Sequence, residues 1–136
     1  MKKKFSAAFA ALFVILCVAG AIPAMAANTN PSSNSRGWQT SLPGNGGNGT
    51  VIENGYKVTN HNRSHVSLES GTTQMLVWVM KNGTSRISDI VTVKRTYGWY
   101  DLNYWSAAGS GTNIVIRACS DTVFSPGTCR GNVDIQ

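Results

Sequence analysis

The sequence predicts an all-β fold: an antiparallel β-sandwich of about seven or eight short strands, set behind a removable leader. Three observations predict it. Apolar residues recur with period two after residue 49, turn residues interrupt them roughly every 8 to 12 positions, and no helical periodicity follows the first 26 residues.

The leader comes first. Lys2, Lys3 and Lys4 precede an apolar run from Phe5 to Ile22, Pro23 breaks it, and Ala24-Met25-Ala26 places small residues where a signal peptidase reads. Residues 1–26 are expected to be a secretory signal peptide, which implies a secreted, extracellular product beginning near Ala27 and able to associate with the cell surface. Gly20 and Pro23 interrupt the apolar run, and nothing later approaches the ~20 sustained apolar residues of a span, so no stable membrane span is expected. Cys17 leaves with the leader.

Removing 26 of 136 residues leaves 110, enough for one domain. Such a chain buries roughly 65% of its unfolded surface, so one modest core forms without a metal. Three of the twelve basic residues lie in the leader. Nine therefore face six acidic ones in the remainder, a net charge of +3 rather than the +6 of the full chain. That is far from the dense basic patch that nucleic acid requires, so no nucleic-acid partner is expected.

Residues 27–49 are rich in Asn, Ser and Gly and are expected to stay mobile, since they cannot recover their ordering entropy by burial. Trp38 and Leu42 are the exceptions that would pin the segment to the body. The sandwich is expected over 50–136. Residues 50–53 and 56–59 flank Asn54-Gly55, the favoured two-residue turn, and predict a first hairpin. Residues 64–69 alternate, with Val66 and Leu68 on one side and His65, Ser67 and Glu69 on the other. Residues 73–81 are apolar on both faces and predict a strand near the middle of a sheet. Asn82-Gly83 then turns the chain into an inward row of Ile87, Val91 and Val93, broken by Asp89. Residues 97–106 and 112–119 read as a hairpin across a Gly/Ser turn, and 130–135 as a last strand through Val133 and Ile135. The expected core includes Met75, Leu76, Val77, Trp78, Val79, Ile87, Val91, Ile114 and Ile116.

Cys119 and Cys129 are expected to be bonded, because an exported chain favours oxidation and Pro126-Gly127 turns the intervening loop. Closing that loop is worth about 3 kcal/mol in the chain-entropy picture. Catalytic patterns are sparse. Glu53, Glu69, Asp89, Asp101, Asp121 and Asp134 are scattered singly, and no Gly-x-Ser-x-Gly elbow occurs. The glycine run at 44–49 opens no helix, so no phosphate loop is read there. His61 and His65 lack clustered ligand partners and read as surface histidines. No catalytic residue, metal or cofactor is expected.

The richest stretch is Tyr97-Gly98-Trp99-Tyr100-Asp101-Leu102-Asn103-Tyr104-Trp105. As a strand it puts Tyr97, Trp99, Asp101, Asn103 and Trp105 on one face and Tyr100, Leu102 and Tyr104 on the other. The first set mixes flat rings with a carboxylate and an amide, a surface that stacks sugar rings and bonds their hydroxyls, or anchors a protein. It is the candidate ligand face. The second set, with its apolar centre, suits the core.

An aromatic strand, a Ser/Gly turn, the apolar strand Ile114-Val115-Ile116-Arg117-Ala118 and a short loop to a Gly-containing last strand together resemble a group of small exported proteins of unknown function from Gram-positive bacteria. The resemblance covers about the C-terminal third and implies no catalytic residues. The Tyr-Trp-rich stretch is also similar to lactococcin-type β-sandwich bacteriocins, which are shorter and lack this cysteine pair. Three function classes follow: a secreted non-catalytic binding module for cell-wall polymer, glycan or a surface protein, which is preferred; a secreted cationic antimicrobial; and a small hydrolase.

Overall fold

The computed structural model describes residues 35–136, which form nine β-strands in two antiparallel sheets packed face to face. The expected signal peptide, residues 1–26, and residues 27–34 lie outside the described residues. The strands are β1 (Arg36–Leu42), β2 (Thr50–Tyr56), β3 (Arg63–Ser70), β4 (Gln74–Lys81), β5 (Ser85–Arg86), β6 (Val91–Lys94), β7 (Trp99–Asn103), β8 (Asn113–Ser120) and β9 (Gly127–Ile135). The first sheet runs β1-β9-β3-β7. The second runs β2-β8-β4, with β5 and β6 sharing the far edge of β4. The sandwich expected from period-two alternation is present.

Inward residues of both sheets make one core. Val66, Leu68, Tyr100, Leu102 and Val133 come from the first sheet; Met75, Val77, Val79, Ile114 and Ile116 come from the second. Ile87 and Val91 are buried as expected. Leu76 and Trp78 are not core: they occupy the outer side of β4 and are only half-buried, with the Trp78 ring lying over Gly49. Both faces of β4 are apolar, but only one faces the other sheet.

Three expectations about elements are corrected, and the Asn82-Gly83 turn holds. The sandwich begins at β1, not at residue 50, because Trp38 and Leu42 are buried and β1 pairs with β9 along its whole length. Asn54-Gly55 is not a turn: both residues lie inside β2, opposite Val115 and Ile114 of β8. Asn82-Gly83 is a turn, with φ of 53° and 70°, the left-handed pair that a type I′ hairpin demands. Residues 97–106 and 112–119 form no hairpin, since β7 pairs with β3 in one sheet and β8 with β2 and β4 in the other.

The expected disulfide is also absent. Cys119 and Cys129 are free, buried thiols. Strand parity gives the reason: Cys129 joins the core from the first sheet, whereas Cys119 follows the inward Ala118 on β8 and lies outside the core cluster. Burial pushes both thiols above the ordinary cysteine value, with the Asp121 charge adding to the effect at Cys119.

Candidate functional site

Strand register builds the site on the outer face of the first sheet. Trp99, Asp101 and Asn103 alternate outward on β7 while Tyr100 and Leu102 turn into the core. The β3 partners of these three are Ser67, His65 and Arg63 in turn. On the far side of β3, Asn132 of β9 lies opposite Ser67 and Asp134 opposite His65. Rows of side chains therefore cross three strands, and the middle row reads Asp101–His65–Asp134.

That row is the most unusual arrangement in the fold. His65 Nε2 lies 2.9 Å from Asp101 Oδ1, and Nδ1 lies 3.4 Å from Asp134 Oδ2. His65 and Asp134 side chains are fully buried, while Asp101 keeps 17% of its side chain exposed. The Nε2 contact is close but off the hydrogen-bond axis, so it is electrostatic in character. His65 is thus not a surface histidine: its two ring nitrogens are each committed to a carboxylate.

Flanking rows complete a polar face. Asn132 donates its side-chain amide to Glu69, and its backbone N–H donates to Ser67 Oγ at 3.1 Å. Arg63 Nε donates to Gln136 Oε1 at 3.0 Å, and Arg130 Nε to Ser70 Oγ at 3.0 Å. Behind the face, at one end, Lys57 is buried with its amine bonded to the main-chain oxygens of His61 and Gln136 and 5.1 Å from the Tyr104 ring centre. Burial holds that amine below the ordinary lysine value, against the opposing pull of Asp134. Tyr104 shares a hydrogen bond with Ser64, and burial pushes its phenol up to about 12.

Of the five expected ligand residues, three are brought together. Trp99, Asp101 and Asn103 share the outer face of β7. Tyr97 stands apart in a single 3-10 turn, Arg95–Tyr97, because Gly98 with φ 78° breaks the strand before it. Trp105 lies beyond β7, past the bridge between Ser88 and Tyr104, with the Arg86 guanidinium 5.4 Å from its ring. Sequence reasoning missed His65, Asp134, Arg63 and Asn132. The polar side of each strand was visible, but not that β3 lies between β7 and β9.

No protein-family model matches the chain, and no curated protein matches it. Among solved structures it is similar to a sugar-binding protein, the EclA C-terminal domain, at 14% identity and a TM-score of 0.45, covering 79% of this chain and 82% of that one.

Proposed function

We propose that the chain is an exported, non-catalytic binding module that takes a hydroxyl-rich ligand, a cell-wall or extracellular glycan, on the outer face of the first sheet. The lysine-led apolar start and the Ala24-Met25-Ala26 site support export. The observation that carries the ligand reading is the joint placement of Trp99, Asp101 and Asn103 on one polar face beside Arg63 and Asn132. A sugar hydroxyl donates and accepts at once, and this face offers carboxylate and amide acceptors next to guanidinium and amide donors, with one indole to stack a ring.

The same geometry argues against a hydrolase. A general base must leave one imidazole nitrogen for the nucleophile, and both nitrogens of His65 face carboxylates. A two-carboxylate glycosidase places the substrate between its acids, yet the buried His65 ring fills the space between Asp101 and Asp134. The test is binding to insoluble cell-wall preparations and to soluble glycan fragments by calorimetry. Trp99→Ala is expected to weaken binding by about tenfold or more with an unchanged melting temperature. Equal binding by the parent and the variant, or no binding by the parent to any glycan, overturns the proposal.

A further inference from the structure

The loop between β8 and β9 exposes apolar surface that the fold does not require. Val123 and Phe124 are 73% and 77% exposed, the highest values for large apolar side chains among the described residues. They are adjacent, and the loop that carries them is firmly held. The Asn45 N–H donates to the Thr122 carbonyl at 2.6 Å, Ser125 Oγ to the Leu42 carbonyl at 2.6 Å, and the Thr122 N–H to Ser120 Oγ at 3.2 Å. The Gln74 amide holds the Asp121 carboxylate. A well-bonded base thus keeps two apolar side chains in water, where an adjacent exposed pair marks an interaction site more often than a lone residue does.

The surroundings indicate which partner. Gln74 contacts Asp121 on one side and pairs with Lys94 on the other, and the Arg95 N–H donates to Thr73, so the loop after β6 lies at the same end of the sandwich. The end of β6 and that loop present Lys94, Arg95 and Tyr97, with Tyr97 59% exposed and the Lys94 amine 5.7 Å from its ring. Arg117 reaches the carbonyls of Asn48 and Gly49 here, and Arg130 reaches Ser70. The acids at this end, Asp121 and Glu69, are each held by an amide. Two protruding apolar side chains fall far short of the roughly 800 Å² that a stable protein interface covers on each partner, whereas a lipid surface needs no shape complementarity.

We propose that this end of the sandwich docks on an anionic lipid surface. Val123 and Phe124 enter below the headgroups, Lys94 and Arg95 meet the phosphates, and Tyr97 sits at the interface, where aromatic rings with a polar tip accumulate. The proposal does not rest on the glycan reading, which uses the outer face of the first sheet.

The apolar leader of the full chain would itself carry protein to vesicles, so the readout must be local. Phe124→Trp is mixed with vesicles of phosphatidylglycerol and phosphatidylcholine in equal parts, some with bromine-labelled acyl chains. The introduced indole, read as the difference from the parent chain with its four native tryptophans, is expected to shift to the blue, to be quenched by the brominated chains and to be shielded from iodide. Adding Lys94→Glu and Arg95→Glu is expected to lower the apparent vesicle affinity of that signal by about tenfold or more. An indole still open to iodide and untouched by brominated lipid overturns the proposal. So does equal quenching on pure phosphatidylcholine, or shielding that appears only when a lipid-free protein extract is added. Loss of glycan binding in Trp99→Ala leaves this signal unchanged, so the two readings fail separately.

Discussion

His65 shows how much a single residue can carry without a sequence signature. Its carboxylate partners lie 36 and 69 positions away along the chain, and period-two alternation marks it only as one more polar residue on the outward side of β3. Replacing it with Leu leaves Asp101 and the buried Asp134 facing each other without the intervening imidazole. His65→Leu is expected to cost about 3 kcal/mol in urea unfolding at neutral pH. Tyr104 makes a second residue-scale prediction. Its phenol is raised from 10.0 to about 12 in the folded state. The folded chain therefore holds that proton more tightly, and stability present in full below pH 10 is lost as pH rises through 12. The loss amounts to roughly 3 kcal/mol, and Tyr104→Phe flattens it. Urea unfolding at alkaline pH values on both proteins checks the sign. Cys119 and Cys129, buried and raised, are expected to resist alkylation in the folded protein and to react promptly in denaturant without any reductant.

Elements were legible where their signal was local. The two Asn-Gly pairs show the limit. Both have the favoured turn sequence, yet only Asn82-Gly83 turns, because β5 folds straight back on β4 there. At Asn54-Gly55 the β8 partner extends past the pair, and the ladder from Thr50 to Tyr56 prevails over the turn preference. β1 was hidden for a related reason: among Asn, Ser and Gly, its two buried residues are too few to show a period. Gly131 on β9 is an element-scale constraint invisible in sequence. A Cβ there would lie 2.0 Å from the Ser67 carbonyl oxygen, where β9 passes the irregular register of β3 between Leu68 and Ser70. Gly131→Ala is expected to destabilise by about 3 kcal/mol or more, since the obstacle is backbone in a neighbouring strand. A change below 1 kcal/mol, on the scale of an ordinary strand Gly, would contradict that packing.

At the scale of the whole molecule, the sandwich and its inward rows followed from alternation, but the strand order did not. Neither the β1-β9-β3-β7 order nor the interruption of β5 and β6 leaves a mark on a single sequence, because each depends on pairings between distant segments. The candidate face was half legible for the same reason: parity separated Trp99, Asp101 and Asn103 from Tyr100 and Leu102, while the contributions of β3 and β9 required the topology. Two global predictions follow from the packing. Val77→Asp places a charge at a position with no solvent exposure and is expected to abolish the cooperative unfolding transition. Starting the chain at residue 50 removes β1 with Trp38 and Leu42 and uncovers one edge of β9. Each lost side chain is worth about 2–5 kcal/mol, so the shortened chain is expected to show no cooperative melt.

The place of β9 has a temporal consequence. This strand is the latest of the nine to be synthesised, yet it lies inside its sheet, flanked by β1 and β3. Residue 36 must wait for residue 133 before its strand has a neighbour, and β3 lacks one of its two partners until then. The first sheet therefore cannot close while the polypeptide is still emerging, and pairings over such sequence separations form slowly. A nascent chain of this design cannot complete its first sheet until almost all of it exists, so one side of its core stays uncovered until synthesis is nearly finished.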